Sequence, residues 1–220
     1  MQFVRADAGE GIVKLSSMLD ERLGEGQQVL WLVPGGSNIP HVVKVMTALP
    51  DGHTKHLTIL PGDERYGPVG HLNSNVKQLY DAGFDPKHAK FIPILHDKPL
   101  DETTRVFEET AGKLFAASDV VIGQFGIGPD GHIAAILPHS AGATALGELA
   151  VDYETPGAFT RITLTFPALR RVQTAFVFAY GESKRSTLTQ LRDETMPLDI
   201  QPAQILKAIP EVYIYNDQVA

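Results

Sequence analysis

A run of five apolar residues that stops at a glycine-rich turn is the feature that most constrains the fold. The run Val29–Val33 is followed by Pro34, Gly35, Gly36, Ser37 and Asn38, and then by a helical stretch over residues 40–49. A strand without polar alternation is buried on both faces, which is typical of parallel sheets covered by helices. The sequence therefore predicts a strand, a glycine loop and a helix in succession.

Further short apolar runs alternate with helix-like segments along the chain. The predicted strands cover residues 57–60, 90–93, 120–125, 161–165, 174–180 and 212–215, and the predicted helices cover residues 10–23, 101–117, 182–192 and 202–209. Such alternation predicts an α/β fold with a mostly parallel sheet and helices on both faces. The sequence contains no obvious linker or repeat, and we expect a single domain over residues 1–220.

Charge and composition exclude several classes of partner. Nineteen Lys and Arg against 26 Asp and Glu give a net charge of −7 without a long basic run, which disfavours nucleic acids and anionic membranes. The chain has no cysteine, which excludes disulfides, thiolate metal sites and a cysteine nucleophile. The first residues lack the apolar core of a signal peptide, and we expect a cytoplasmic protein.

Ligands of parallel sheets bind beyond the carboxyl ends of the strands, where helix N-termini present free N–H groups. The loop with Gly35, Gly36 and Ser37 lies at such a place and lets backbone amides approach a phosphate closely. Many turns between a strand and a helix look alike, so a phosphate site and a plain turn both remain open. The loop lacks the Gly-Lys-Ser/Thr ending of a Walker sequence.

A second loop combines acidic residues with an arginine at a predicted strand end, from Gly62 through Asp63 and Arg65 to Asn75. A charged segment of this kind is by default a solvated turn. In a functional loop, Asp63 would act as a base or accept hydrogen bonds from sugar hydroxyls, and Arg65 would supply a fixed cation.

The third loop carries Gly126, Gly128 and Gly131, which formally match the dinucleotide-binding pattern G-x-G-x-x-G. A dinucleotide is disfavoured because Asp130 would place negative charge where the pyrophosphate approaches a helix N-terminus. An acid and an imidazole in one loop fit proton transfer better, with Asp130 orienting His132. The alternative is that His132 only caps the next helix.

Two later cations, Arg161 and Lys184, adjoin predicted strands and could bind a phosphate together, although each alone is typical of a protein surface. A serine hydrolase is disfavoured because the chain has no Gly-x-Ser-x-Gly sequence. His53 and His56 form one H-x-x-H pair in a predicted loop, and we predict no catalytic metal.

In chain order, PGGSNIP, GDERYGPVGHLNSN, FGIGPDGHIAAILP, RITLTFPAL and GESK resemble the motif series of the 6-phosphogluconolactonases and glucosamine-6-phosphate deaminases. The resemblance spans most of the chain and implies a sugar-phosphate isomerase type of fold, with a modified Rossmann-like sheet, a phosphorylated sugar as ligand and no cofactor. It implies that phosphate is held by Gly35, Gly36, Ser37, Arg161 and Lys184, that the reacting end is surrounded by Asp63, Arg65, Asp130 and His132, and that Asn75 supports the second loop.

Within that family, two positions favour the lactonase. Leu137 stands where deaminases carry an additional Glu, and Arg65 stands where they usually carry Tyr. The resemblance thus implies metal-independent hydrolysis of 6-phosphoglucono-δ-lactone in the pentose phosphate pathway, with His132 as the general base, by a monomer or homodimer. A deaminase that uses Asp63 as its base, an inactive sugar-phosphate sensor and a dinucleotide oxidoreductase remain as alternatives.

Overall fold

The computed structural model describes residues 1–155 and 158–220. The strands are β1 Gln2–Arg5, β2 Val29–Val33, β3 Leu57–Pro61, β4 Asp63–Arg65, β5 Lys90–Phe91, β6 Val120–Phe125, β7 Ala150–Glu154, β8 Thr160–Leu164, β9 Thr174–Ala179 and β10 Glu211–Asn216. The helices are α1 Ala8–Gly24, α2 Ile39–Ala48, α3 Asn75–Asp81, α4 Leu100–Ala117, α5 Ala141–Thr144, α6 Phe166–Leu169 and α7 Arg185–Asp193.

Seven strands form one sheet in the order β1-β10-β9-β6-β2-β3-β5, and every neighbouring pair is parallel. From β2 the chain moves to β3 and β5 on one side, whereas β6, β9 and β10 lie on the other side. The loops after β2 and β6 therefore diverge, which opens a crevice at the carboxyl edge of the sheet. The predicted fold class, an α/β fold with a mostly parallel sheet, is confirmed.

The apolar run of β2 explains why this sheet is buried on both faces. Leu30 and Leu32 belong to the core cluster that includes α4 and α7, whereas Trp31 belongs to the cluster that includes α1 and α2. Successive side chains of a strand point to opposite faces, so one continuous apolar run fills two cores. Helix α1 is capped by Asp7, whose side chain accepts a hydrogen bond from Gly9 N over 2.6 Å.

A second, smaller sheet lies beside the first. Its three strands are antiparallel in the order β4-β8-β7, with Asp63 opposite Thr163 and Arg65 opposite Arg161. Ile162 is buried in the core cluster next to α4 and α7. Side chains of alternate residues share a face, so Asp63, Arg65, Arg161 and Thr163 point to the side opposite Ile162.

The structure differs from the predicted elements in this small sheet. The predicted strand 161–165 is β8, which is antiparallel and outside the main sheet, and β4 and β7 were not predicted. Both carry charged residues and lack a buried apolar run. Strand β1 and helix α3 were also missed, and the predicted helix 202–209 is a 3₁₀ helix, Pro202–Ala208.

Among the described residues, no helix is long and apolar enough to cross a membrane.

Candidate functional site

A cleft of about 300 Å³ opens at the carboxyl edge of the main sheet. It is bounded by the glycine loop after β2, the start of the small sheet, the loop after β6 and the segment before α7. All but one of the predicted site residues line it, namely Gly35, Gly36, Ser37, Asp63, Arg65, Asn75, His132, Arg161 and Lys184. Asp130 is the exception, and it is joined to the cleft through its contact with His132.

His132 and Asp130 form a hydrogen-bonded pair. The distance from His132 Nδ1 to Asp130 Oδ1 is 2.7 Å, and the same oxygen accepts a bond from His132 N over 3.3 Å. Partial burial raises the pKa of Asp130, but the charge and hydrogen bonds of His132 outweigh it, so this pKa lies below its usual value. The ionised carboxylate therefore fixes the imidazole with its Nδ1 engaged, leaving Nε2 for a ligand.

Two glycines make room for this pair. A Cβ on Gly128 would lie 2.1 Å from His132 Nδ1, and Gly131 has a φ of +84°. Gly128 N also donates to His132 O over 2.9 Å. The loop therefore needs glycine for a close approach and for a left-handed turn, both of which position the imidazole.

Asp63 is buried and is held by Asn75. Asn75 Nδ2 donates to the Asp63 backbone oxygen over 3.0 Å and to Oδ2 over 3.1 Å. Burial is the largest cause that raises the pKa of Asp63, and Glu64 raises it further, against the opposing effects of Arg161, Asn75 and Arg65. Asn75 Oδ1 is buried without a hydrogen-bond partner among the described residues. A Cβ on residue 35 would lie only 2.1 Å from this oxygen. Because Gly35 has no side chain, Asn75 can pack directly against the glycine loop.

Glu64 is the fully buried neighbour of Asp63 and has a structural role. Its carboxylate accepts bonds from Arg65 N, Ser74 Oγ, Asn75 N and Val76 N over 2.7, 2.9, 2.7 and 3.1 Å. These contacts tie strand β4 to the first turn of α3. They place Asn75 beside Asp63, which is why the second loop returns to the cleft.

Two arginines from the small sheet enter the cleft side by side. Arg65 and Arg161 are direct partners across β4 and β8, and both line the cleft. Arg65 Nη1 donates to Asn73 O over 2.9 Å, and Arg161 Nε donates to Thr155 Oγ1 over 3.1 Å. Like charges placed opposite each other are unfavourable in a sheet unless an anion joins them.

Lys184 brings a third cation to the cleft from the 3₁₀ turn before α7. Burial is the largest cause that lowers the pKa of Lys184, and the charge of Asp130 opposes it. The late cations and His132 thus line one cleft. Among the described residues that line it, Asp63 is the single acidic side chain.

The glycine loop after β2 forms a short 3₁₀ turn, Gly36–Asn38, with Gly36 at a φ of +62°. The N-cap residue of α2, Asn38, makes no capping hydrogen bond through its side chain. Asn38 instead bonds His41 Nδ1 over 3.1 Å and packs against Gly126, where a Cβ would lie 2.4 Å from Asn38 Nδ2. Asn38 therefore joins the first and third loops.

The G-x-G-x-x-G match does not form a dinucleotide site. Its glycines approach the side chains of Asn38, His132 and Gln201, and the segment after Gly131 is a tight turn instead of a helix. The fingerprint requires a helix N-terminus at that point. Among the described residues, no cluster of three or more His, Cys, Asp or Glu has the geometry of a metal site.

Sequence reasoning missed the turn that follows His132. Ala134 and Ala135 line the cleft, and their carbonyl oxygens accept bonds from Thr163 Oγ1 and Tyr153 OH. Small apolar residues carry no chemical signal of their own. Thr163 and Tyr153 lie on strands of the small sheet, one of which was not predicted.

The family profile of glucosamine-6-phosphate isomerases/6-phosphogluconolactonase matches residues 8–214. A 6-phosphogluconolactonase from Synechocystis is 26% identical over 174 residues, with 72% of this chain and 70% of the relative covered. A glucosamine-6-phosphate deaminase from Lactobacillus johnsonii is 26% identical over 236 aligned positions, which cover 99% of this chain and 94% of that protein.

The fold also matches solved structures. A crystal structure of 6-phosphogluconolactonase from Thermotoga maritima superimposes with a TM-score of 0.82 at 19% identity, with 98% of this chain and 97% of that chain covered. The family profile extends over most of the chain, and the matching fold places the family's motifs around one cleft. The chain therefore belongs to the family of glucosamine-6-phosphate isomerases and 6-phosphogluconolactonases.

Proposed function

We propose that this protein hydrolyses 6-phosphoglucono-δ-lactone to 6-phosphogluconate, as a step of the pentose phosphate pathway. One observation carries the proposal: the cleft that contains the Asp130-oriented imidazole of His132 also contains three cations, Arg65, Arg161 and Lys184. A proton-transfer group and an anion site in one cleft suit a phosphorylated substrate. The curated 6-phosphogluconolactonases among the relatives support the same reaction.

The reaction needs one group that moves a proton twice. Neutral His132 takes a proton from water while the water oxygen forms a bond to C1, and the carbonyl electron pair moves onto the C1 oxygen. When the carbonyl re-forms, the bond from C1 to the ring oxygen breaks and the imidazolium returns its proton to that oxygen. Asp130 stabilises the imidazolium between the two transfers because it stays ionised.

The phosphate of the substrate would bind the cations and the glycine loop. Arg161 and Lys184, with the amides of Gly35 and Gly36 and the hydroxyl of Ser37, supply donors for a dianion. Binding energy at this distant group positions C1 against His132. Arg65 adds a positive charge from the same face of the small sheet.

The deaminase reaction fits this cleft less well. That reaction requires ring opening assisted by an additional carboxylate. The position of this carboxylate is occupied here by Leu137, which does not line the cleft. Asp63, the candidate base of a deaminase, is held by Asn75 beside two arginines. We assign Asp63 to hydrogen bonding with substrate hydroxyls, next to the positive charges of the two arginines.

A pH-stat assay on freshly prepared 6-phosphogluconolactone tests the proposal, with spontaneous hydrolysis subtracted. We expect enzyme-dependent acid release that is abolished to near background by His132→Ala. Glucosamine 6-phosphate serves as the competing substrate, with ammonia release as the readout. Ammonia release without lactone hydrolysis would overturn the proposal in favour of the deaminase, and tight sugar-phosphate binding with no turnover would favour a sensor.

A further inference from the structure

The tight turn after His132 has a backbone conformation that its residues disfavour. Ala134 and Ala135 have positive φ angles of 48° and 54°, and Ile136 N donates to Ile133 O over 2.7 Å. A two-residue turn with two left-handed residues is of type I′, which usually contains asparagine and glycine. Two alanines in this conformation are strained, so the surrounding structure must hold them.

Two hydroxyls of the small sheet provide that support. Thr163 Oγ1 donates to the carbonyl oxygen of Ala134, and Tyr153 OH donates to that of Ala135. Thr163 is fully buried, and neither hydroxyl-bearing residue lines the cleft. Burial is the largest cause that raises the pKa of Tyr153, so its hydroxyl remains a donor at neutral pH.

The turn leaves two backbone donors free at the cleft. Within residues 1–155 and 158–220, neither Ala134 N nor Ala135 N has a hydrogen-bond acceptor, although Ala135 is only 6% exposed. The backbone N–H of a buried residue such as Ala135 is normally paired with protein, water or a ligand. In a trans peptide the N–H points opposite the preceding carbonyl, so the bond to Thr163 directs the Ala135 N–H away from the small sheet.

We propose that the amides of Ala134 and Ala135 bind the oxyanion that forms on C1, with Thr163 and Tyr153 as positioning residues. The inference rests on the proposed lactone hydrolysis and names the groups that stabilise its tetrahedral intermediate. Backbone donors fixed before the reaction are effective there because they need no reorganisation. The negative charge on the C1 oxygen exists only after water has added to C1. The two amides should therefore raise kcat and leave KM nearly unchanged.

Loss of either hydroxyl tests the positioning role. Thr163→Val and Tyr153→Phe should each lower kcat by roughly 10- to 100-fold, because the donors lose their alignment, with KM within about twofold. Thr163→Ser keeps the hydroxyl and should restore most of the turnover. The matched controls are Thr165→Val and Tyr180→Phe, whose hydroxyls donate to the carbonyls of Glu148 and Ala6 outside the cleft. A general folding defect would lower stability without separating kcat from KM.

The amides can also be observed directly by ¹⁵N–¹H NMR of the wild-type protein titrated with 6-phosphogluconate, whose carboxylate oxygens resemble the oxyanion. We expect the Ala134 and Ala135 resonances to shift, with Ala179 in β9 as an internal reference. Unmoved Ala134 and Ala135 resonances, or unchanged kcat in Thr163→Val and Tyr153→Phe, would overturn this inference while wild-type turnover stands. Absence of wild-type lactone hydrolysis would instead overturn the proposed function.

Discussion

The two sheets contribute to the cleft in different ways. The parallel sheet supplies loops that carry backbone donors, one imidazole and one lysine, namely the glycine loop after β2, the His132 loop after β6 and the turn with Lys184 after β9. The small antiparallel sheet supplies side chains from the strands themselves, since Asp63, Arg65 and Arg161 lie on β4 and β8. The parallel sheet thus brings the proton-transfer group and one cation, and the small sheet brings the other charged side chains of the cleft.

The difference shows that the loops of the parallel sheet are held in place by side chains of the small sheet. A loop such as Gly126–His132 can approach a ligand closely because its glycines permit unusual geometry, yet it needs outside support. The small sheet gives that support through Thr163 and Tyr153, which bond the turn after His132. Substitutions on the two sheets should therefore separate turnover, substrate affinity and stability.

The largest effect is expected from His132→Ala, which removes the proton-transfer group. We expect kcat to fall by roughly 10²- to 10⁴-fold, the usual contribution of a positioned acid-base group, with KM little changed. His53→Ala is the matched control, because His53 also bonds a carboxylate, Asp20, over 2.6 Å but lies outside the cleft. Near-wild-type turnover of His132→Ala in the pH-stat assay would remove His132 from this role.

The next effect concerns affinity for the phosphate. Arg161→Ala and Lys184→Ala should each raise KM by about 10- to 100-fold, since a hydrogen bond to a charged group is worth about 1.5–3 kcal/mol. Arg185→Ala changes the exposed neighbour of Lys184 and should leave KM as in the wild type. Steady-state kinetics on the phosphorylated lactone measure all three, and unchanged KM in both cleft variants would show that the phosphate binds elsewhere.

The parallel sheet was predictable from the sequence because its strands are continuous apolar runs. Strands β2 and β6 and the loops after them were located within a residue. Strands β4 and β7 could not be predicted in this way, because β4 has only three residues and both strands carry charged residues in place of a continuous apolar run. Asp63 and Arg65 were candidates from their charge at a predicted strand end, and the resemblance gave them the same place. Ala134 and Ala135 could not be found in this way, because their role depends on backbone angles that the residue type does not reveal.

The contrast between adjacent acids on β4 gives a prediction about stability. Glu64 faces away from the cleft and accepts four hydrogen bonds, three of them from backbone N–H groups. Glu64→Gln would place an amide NH₂ against these donors, so we expect a loss of about 1–3 kcal/mol in the free energy of unfolding. Thermal denaturation measures it, and a variant as stable as the wild type would show that Glu64 does not hold β4 to α3.

The smallest effect is expected from Asp63→Asn, which should raise stability, whereas Glu64→Gln lowers it. The pKa of Asp63 is raised in the folded protein, mainly by burial. The stability that the protonated group contributes is therefore complete below the pKa of an unfolded Asp and is lost as pH rises through the folded pKa. Asp63→Asn removes this loss and keeps an oxygen for Asn75, so the variant should be more stable than the wild type at neutral pH.

The gain of Asp63→Asn should shrink as the pH falls toward about 4, where an unfolded Asp titrates. Melting temperatures across that range measure the difference between variant and wild type. Asp81→Asn is the control, because Asp81 is exposed and pairs with Lys77 over 2.6 Å. A gain for Asp63→Asn that is independent of pH would assign its effect to packing. If Asp63→Asn were instead less stable than the wild type at neutral pH, the arginines of β4 and β8 would stabilise an ionised Asp63 in the folded protein.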